Sequence, residues 1–168
     1  CLNTLRWLDL SKQKLTPVEI RVLSKALSTN YSLIYVDLSY NTIGGGEILP
    51  GHPKKATHAM HALSHFIMGH PCLLELNLSG VEMNDQDVTA LVQSLSTSLV
   101  LAKLHLRANW IRSDGFAAIF KAIADSKEHV FPDYFLGDLL ALESTSVHTE
   151  LKKAYSQGIY KAYKKEEY

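Results

Sequence analysis

A short phrase of apolar positions recurs along this chain. Leu5, Leu8 and Leu10 stand three and then two residues apart, and the phrase returns at Leu33, Val36 and Leu38, at Leu73, Leu76 and Leu78, and at Leu101, Leu104 and Leu106. The first and last pairs of phrases are 28 residues apart and the middle pair is 40 apart. Apolar-polar-apolar alternation over so few residues predicts a short strand with one face buried. Each phrase closes, five positions later, on Leu15, Ile43, Met83 or Ile111. The second half of each unit changes rhythm. Ile20, Leu23 and Leu27, then Met60, Leu63 and Ile67, then Val88, Leu91 and Leu95, then Phe116, Ile119 and Ile123 follow a three-then-four spacing, which predicts an amphipathic helix in each unit. Thr16-Pro17 predicts a capped start with a first-turn proline, and Asn84 to Asp87 and Ser113-Asp114 place polar or acidic residues where a helix dipole favours them.

Strands alternating with helices in four successive units predict an α/β protein with parallel strands. Strands stack about 4.8 Å apart, whereas packed helices need about 8 to 10 Å. The expected architecture is therefore a curved strand-helix solenoid, strands on the concave face and helices on the convex face. Its four units start near residues 1–5, 33, 73 and 101 and fill residues 1–128, with the surplus of the second unit in an insertion at 44–55. Residues 129–168 lack the phrase. Pro132 would interrupt a central strand, so Val130 to Leu142 is expected to cap the last unit, followed by a basic helix from about Ser146 to Tyr168.

Asn41 and Asn109 stand two positions before Ile43 and Ile111, completing a pattern L-x-x-L-x-L-x-x-N-x-L. Over about residues 2–125 this resembles the leucine-rich repeat, and the 28-residue period resembles its ribonuclease-inhibitor-like subclass. The resemblance implies a non-catalytic recognition module in an intracellular, cytoplasmic protein, a class that includes actin-associated and ciliary scaffolds and subunits of larger assemblies. Gln13 and Val81 depart from the pattern. Gln13 is a longer amide able to reach the same groups, whereas Val81 has no polar side chain, so its turn must be satisfied by Gly80, water or a neighbouring unit.

Composition narrows the class further. The 168 residues carry 17 Lys+Arg against 17 Asp+Glu with 46% hydrophobic residues, which excludes disordered, collagen-like and polycationic chains. No apolar run of roughly 18 residues is present to span a bilayer as a helix. Cys1 and Cys72 are too few for a disulfide framework, which favours a reducing compartment. The chain opens at Cys1 inside the apolar pattern, as a piece of a longer polypeptide would.

The candidate chemistry lies on the strand face turned away from the helices. Aligned units give three columns: Trp7, Tyr35, Glu75 and Lys103; Asp9, Asp37, Asn77 and His105; and Ser11, Ser39, Ser79 and Arg107. This wall is expected to grade from aromatic and acidic to basic. Trp7, Asp9, Tyr35, Asp37, Glu75, Lys103, His105 and Arg107 are the expected contacts to another protein, since exposed aromatics beside charges make hot spots. Lys54 and Lys55 in the insertion are candidate loop contacts. Asp37 and His105 sit about 9 to 10 Å apart at strand spacing and cannot share a proton. No nucleophile elbow or phosphate-binding loop occurs, so neither an enzyme nor a cofactor is expected.

Five of the eight histidines lie between His52 and His70. His58, His61 and His65 fall within about 60° of one helix face, a spacing able to share a zinc or nickel ion, but no Cys or carboxylate accompanies them and a polar outer face is the plainer reading. The tail alternates lysines with Tyr155, Tyr160, Tyr163 and Tyr168, yet Glu150, Glu166 and Glu167 dilute its charge, so neither nucleic acid nor membrane is the expected partner. The alternative function is a regulator resembling the Ran GTPase activator, with Asn109 and Arg112 as its contacts.

Overall fold

A computed structural model describes residues 4–46, 58–98 and 100–125. Strand and helix alternate throughout: β1 (Trp7–Asp9), α1 (Pro17–Leu27), β2 (Tyr35–Asp37), α2 (His58–Gly69), β3 (Glu75–Asn77), α3 (Asp85–Thr97), β4 (Lys103–His105) and α4 (Ser113–Asp125). The strands form one parallel sheet in the order β1-β2-β3-β4. Parallel neighbours need a crossover, and α1, α2 and α3 supply the three between these strands. Successive helices touch in the same order, α1 on α2, α2 on α3 and α3 on α4.

The core lies between sheet and helices. Val36, Leu76 and Leu104, at the centres of their strands, are buried against Ile20, Met60, Leu63, Ile67, Val88, Leu91, Leu95, Phe116 and Ile119. The three-then-four rhythm thus marks the buried helix stripes. In α1, Leu23 and Leu27 are only partly buried although Ile20 is fully so, because among the described residues α1 packs against a helix on one side alone. The expected cap and basic helix at 129–168, the side chain of Ile123, and His52, Lys54 and Lys55 lie outside what is described.

Each strand turns sharply toward its helix. Lys12, Tyr40, Gly80 and Ala108, at equivalent places, all take left-handed backbone with φ between 54 and 63°. Gly80 is the one position where this is met by glycine, and a Cβ there would stand 2.6 Å from the Tyr40 ring. Buried turns must pair their backbone groups, and the asparagines do it across units. Asn109 donates from Nδ2 to the carbonyls of Leu106 (3.0 Å) and of Leu78 in the preceding unit (2.8 Å). Its Oδ1 accepts the N–H groups of Val81 and Met83, both at 3.0 Å. The neighbouring unit therefore satisfies the turn that Val81 cannot. Asn41 repeats the arrangement, donating to the carbonyls of Leu38 (2.8 Å) and Leu10 (2.9 Å) and accepting the Leu15 N–H (2.9 Å). Gln13 reaches only the Ser11 carbonyl of its own unit, at 3.0 Å.

The N-terminus of α3 fastens the start of the insertion. Asn84 Oδ1 accepts the N–H groups of Gln86 and Asp87 as a helix cap, while its Nδ2 donates to the Gly46 carbonyl at 3.0 Å. Buried Asp87 accepts the Gly45 N–H at 2.7 Å. Gly44 passes so near that a Cβ would meet the Glu82 carbonyl oxygen at 2.4 Å.

His70 follows α2 and is buried edge-on against Phe66, with ring centroids 5.2 Å apart. Its Nδ1 accepts the Cys72 N–H at 3.2 Å, which requires the neutral ring. Burial holds the imidazole below its ordinary value of 6.5, with a smaller opposing pull from the Asn30 backbone. Below pH 6.5 the unfolded chain then binds more protons at this residue than the folded one, so stability falls as pH drops through that region. Urea midpoints measured at pH 7.5 and 5.5 are expected to fall on acidification, and His70→Asn to flatten that fall.

Asn109→Ala strands two N–H groups and two carbonyls at once and is expected to cost about 2 to 4 kcal/mol in urea unfolding. Gln13→Ala, removing one exposed bond, is expected to cost less than about 0.5 kcal/mol.

Candidate functional site

Alternation along each strand turns the central residue into the core and the two flanking residues onto the opposite face. The registers bring Trp7 beside Tyr35, Tyr35 beside Glu75 and Glu75 beside Lys103, and likewise Asp9 beside Asp37, Asp37 beside Asn77 and Asn77 beside His105. Two of the three columns read from the sequence are therefore the lateral ladders of the sheet. The third is corrected: the strands end before it, and Ser39 and Ser79 are buried at 4% and 8% exposure. Arg107 is exposed at the turn beyond β4.

At the β1 end, the Trp7 and Tyr35 rings stack with centroids 4.9 Å apart at a 32° tilt. Trp7 keeps 66% of its surface exposed. The Tyr35 hydroxyl donates to Asp37 Oδ2 at 2.9 Å, and Asn77 Nδ2 donates to the same oxygen at 2.9 Å. Asp37 Oδ1 accepts the Ser39 N–H at 2.7 Å. Burial alone would raise the Asp37 carboxyl, but the bonds from Ser39, Tyr35 and Asn77 outweigh it and hold it below the usual value. The Tyr35 phenol is pushed up to about 12 by burial first, then by its bond to Asp37 and the negative charges of Asp37, Glu75 and Asp9.

The acidic column has a backbone reason. Asp9 accepts the Ser11 N–H at 2.8 Å and Asn77 the Ser79 N–H at 3.0 Å, as Asp37 does for Ser39. A short side-chain oxygen bonding the N–H two residues on closes an Asx turn, so Asp and Asn serve the strand exit. His105 ends that series and turns to Glu75 instead.

The graded wall is corrected at its C-terminal end. Glu75 Oε2 pairs with Lys103 Nζ at 3.2 Å and Oε1 with His105 Nε2 at 2.9 Å, so one carboxylate faces both basic groups. The strand face carries Asp9, Asp37 and Glu75 against Lys103 and His105. Asp37 and His105 face Asn77 and Glu75 respectively, and form no acid-base pair. Asn109 is committed to the turn, which removes half of the pair expected to touch a GTPase. Arg112 is exposed, and its backbone N–H bonds Asp85 Oδ1 at 2.6 Å.

His58, His61 and His65 are exposed on α2, and among the described residues no group of three or more His, Cys, Asp or Glu side chains could hold a metal ion. Sequence reasoning passed over a second exposed strip along the turns, where Tyr40 is 55% and Trp110 49% exposed and Lys12 Nζ stands 5.4 Å above the Tyr40 ring. For Lys12 and Tyr40 the available signal was their shared place two residues past the last Leu of each phrase, the place that Gly80 and Ala108 fill in the later units; Trp110 stands two residues further on.

No family model and no curated protein matches the chain. Solved structures do. Leiomodin-1 actin-binding site 2 is similar at a TM-score of 0.65 and 13% identity, covering 98% of this chain and 86% of that one. A tropomodulin C-terminal domain from Caenorhabditis elegans is similar at a TM-score of 0.50 and 10% identity, covering 88% of this chain and 95% of that one. The expectation of a ribonuclease-inhibitor-like leucine-rich-repeat protein is thereby corrected, since the likeness found is to these domains and no model of that family matches. The physical reason is that the repeated phrase reports strand spacing and turn chemistry local to one unit, and only two of the four units carry the Asn.

Asp37→Ala is expected to destabilise by about 1 to 3 kcal/mol in chemical denaturation, because the buried Ser39 loses the acceptor of its N–H. Asp9→Ala, at an exposed turn, is expected to cost less than about 1 kcal/mol.

Proposed function

We propose that this chain is a non-catalytic protein-binding domain of an actin-associated protein and that the outward face of β1 to β4 is its contact surface. The observation that carries the reading is a pre-formed face: a stacked Trp7–Tyr35 pair, largely exposed at Trp7, beside carboxylates held by hydrogen bonds. Rigid aromatics lose little side-chain entropy on binding, and charges fixed beforehand need no reorganisation. Leiomodin-1 actin-binding site 2, similar in fold across nearly the whole chain, supports actin as the partner. The four units curve in this reading, because the helices need more room than the strands, and the outward sheet face becomes a concave surface suited to a protein. The setting is cytoplasmic, within a larger cytoskeletal assembly, and Trp7, Asp9, Tyr35, Asp37, Glu75, Lys103, His105 and Arg107 are the contacts. Nothing on this face favours GTPase regulation over protein binding, and the role as a binding module needs neither cofactor nor metal.

Co-sedimentation with filamentous actin and capture of monomeric actin by the purified domain test the reading together. Binding to one form is expected, weakened about tenfold by Trp7→Ala, the scale of an interface hot spot, and unchanged by His61→Ala on the outer helix face. Absence of binding to both forms, or binding indifferent to Trp7→Ala and Tyr35→Phe alike, counts against it.

A further inference from the structure

The two ends of the strand face differ in how far their charges are answered. Glu75 faces Lys103 and His105 together, whereas no Lys or Arg among the described residues pairs with Asp9 or Asp37. Asp37 is nonetheless fully used, accepting from Tyr35, Asn77 and Ser39. Asp9 is not: Oδ1 accepts the Ser11 N–H, and Oδ2 has no partner among the described residues. Trp7 stands two residues before Asp9 on the same face of β1, about 6.6 Å along the strand. One side of its ring lies against Tyr35, and the 66% exposure of the residue leaves the other side to solvent. Three carboxylates bear on Tyr35 closely enough to disfavour a further negative charge there.

We propose that Trp7 and Asp9 form a seat for an arginine or lysine side chain of an extended, basic segment of the partner, the cation lying on the open face of the Trp7 indole and pairing with Asp9 Oδ2. A ring face attracts a cation within about 6 Å of its centroid, indole most strongly, and a guanidinium both stacks on the ring and forks to a carboxylate. The negative field of Asp9 and Asp37 beside Trp7 and Tyr35 steers a basic segment to this end of the sheet. Glu75 turns an acidic one away from Lys103 and His105. The seat rests on the strand face being the recognition surface, and it assigns the charge of what that surface recognises.

The test is an NMR titration of the isotope-labelled chain with an acetylated, amidated (Gly-Arg)3-Gly peptide and, separately, with its (Gly-Glu)3-Gly counterpart. The two indole N–H signals are assigned with Trp110→Phe. The arginine peptide is expected to shift the Trp7 indole and the Asp9 amide while the Trp110 indole stays still, and to bind more weakly as salt rises from 50 to 300 mM. Trp7→Ala and Asp9→Asn are each expected to weaken it at least fivefold, and Trp7→Phe less than Trp7→Ala. Both side chains are exposed, and Asn keeps the acceptor for the Ser11 N–H, so folding is preserved. Equal binding by Trp7→Ala and Asp9→Asn overturns the seat. Shifts at Lys103 and His105 with the glutamate peptide alone also overturn it, yet leave the strand face as the recognition surface. Strand-face amides unmoved by either peptide, in a chain that still co-sediments with actin, remove the face and the seat together.

Discussion

Everything on the strand face depends on how the chain leaves each strand. Three residues after β2 and after β4, at Tyr40 and Ala108, it has turned toward its helix, and the turn buries backbone groups that water cannot reach. Asn41 and Asn109 answer this by spanning two units, taking carbonyls from their own turn and the one before and giving an oxygen to N–H groups of the one before. A unit is thus complete only with its successor in place. The third unit, with Val81 where an amide would stand, is held from the fourth by Asn109, and its own carbonyl accepts the N–H groups of Ile43 (3.3 Å) and Gly44 (2.7 Å) of the second. A slip of one residue between strands would break every one of these bonds and turn the core side chains outward.

Fixed register is what makes the columns a surface. Trp7 can stack on Tyr35, and Glu75 can reach both Lys103 and His105, only because strands pair residue for residue. The Glu75 pairs are partly exposed, and pairs of that kind add little to stability. Their consequence lies in the field: Glu75 offsets part of the positive charge at the β4 end, whereas Asp9 and Asp37 at the β1 end have no Lys or Arg partner among the described residues. Asp37 shows the other use of a carboxylate, tying strand exit, neighbouring strand and aromatic stack into one network.

Backbone periodicity was legible in the sequence, and side-chain pairing was not. The spacing of Leu33, Val36 and Leu38 and of Met60, Leu63 and Ile67 led to the strands, helix stripes and core, because burial imposes period on sequence directly. The columns through Trp7 and Asp9 followed from aligning the repeated phrase, whose internal spacing is the same in all four units. That Ser39 and Ser79 turn inward did not, because it depends on where the strand stops, and three-residue strands stop early. Nor did the double pairing of Glu75, since a column lists side chains of neighbouring strands without saying which rotamers meet. The family reading failed for a related reason: a phrase satisfied by spacing constrains one unit's geometry and says little about which solved domains the whole chain resembles.

The insertion in the second unit tests whether that geometry is local. Twelve additional residues enter between β2 and α2 without disturbing the register of β2 on β3. The entry explains it. Gly44, Gly45 and Gly46 bond in succession to the Val81 carbonyl (2.7 Å), Asp87 Oδ2 (2.7 Å) and the Glu82 carbonyl (2.8 Å), and Asn84 returns a bond to Gly46. The first three residues of the insertion are therefore anchored to the third unit, and α2 resumes with Met60, Leu63 and Ile67 in the core. Closing a longer loop costs only about 0.6 kcal/mol for each doubling of its length, less than one of the anchoring bonds to a buried carboxylate contributes. Length can thus vary at this point while the strand face stays fixed, and Gly44, where a side chain would strike the Glu82 carbonyl, is the residue on which that separation turns.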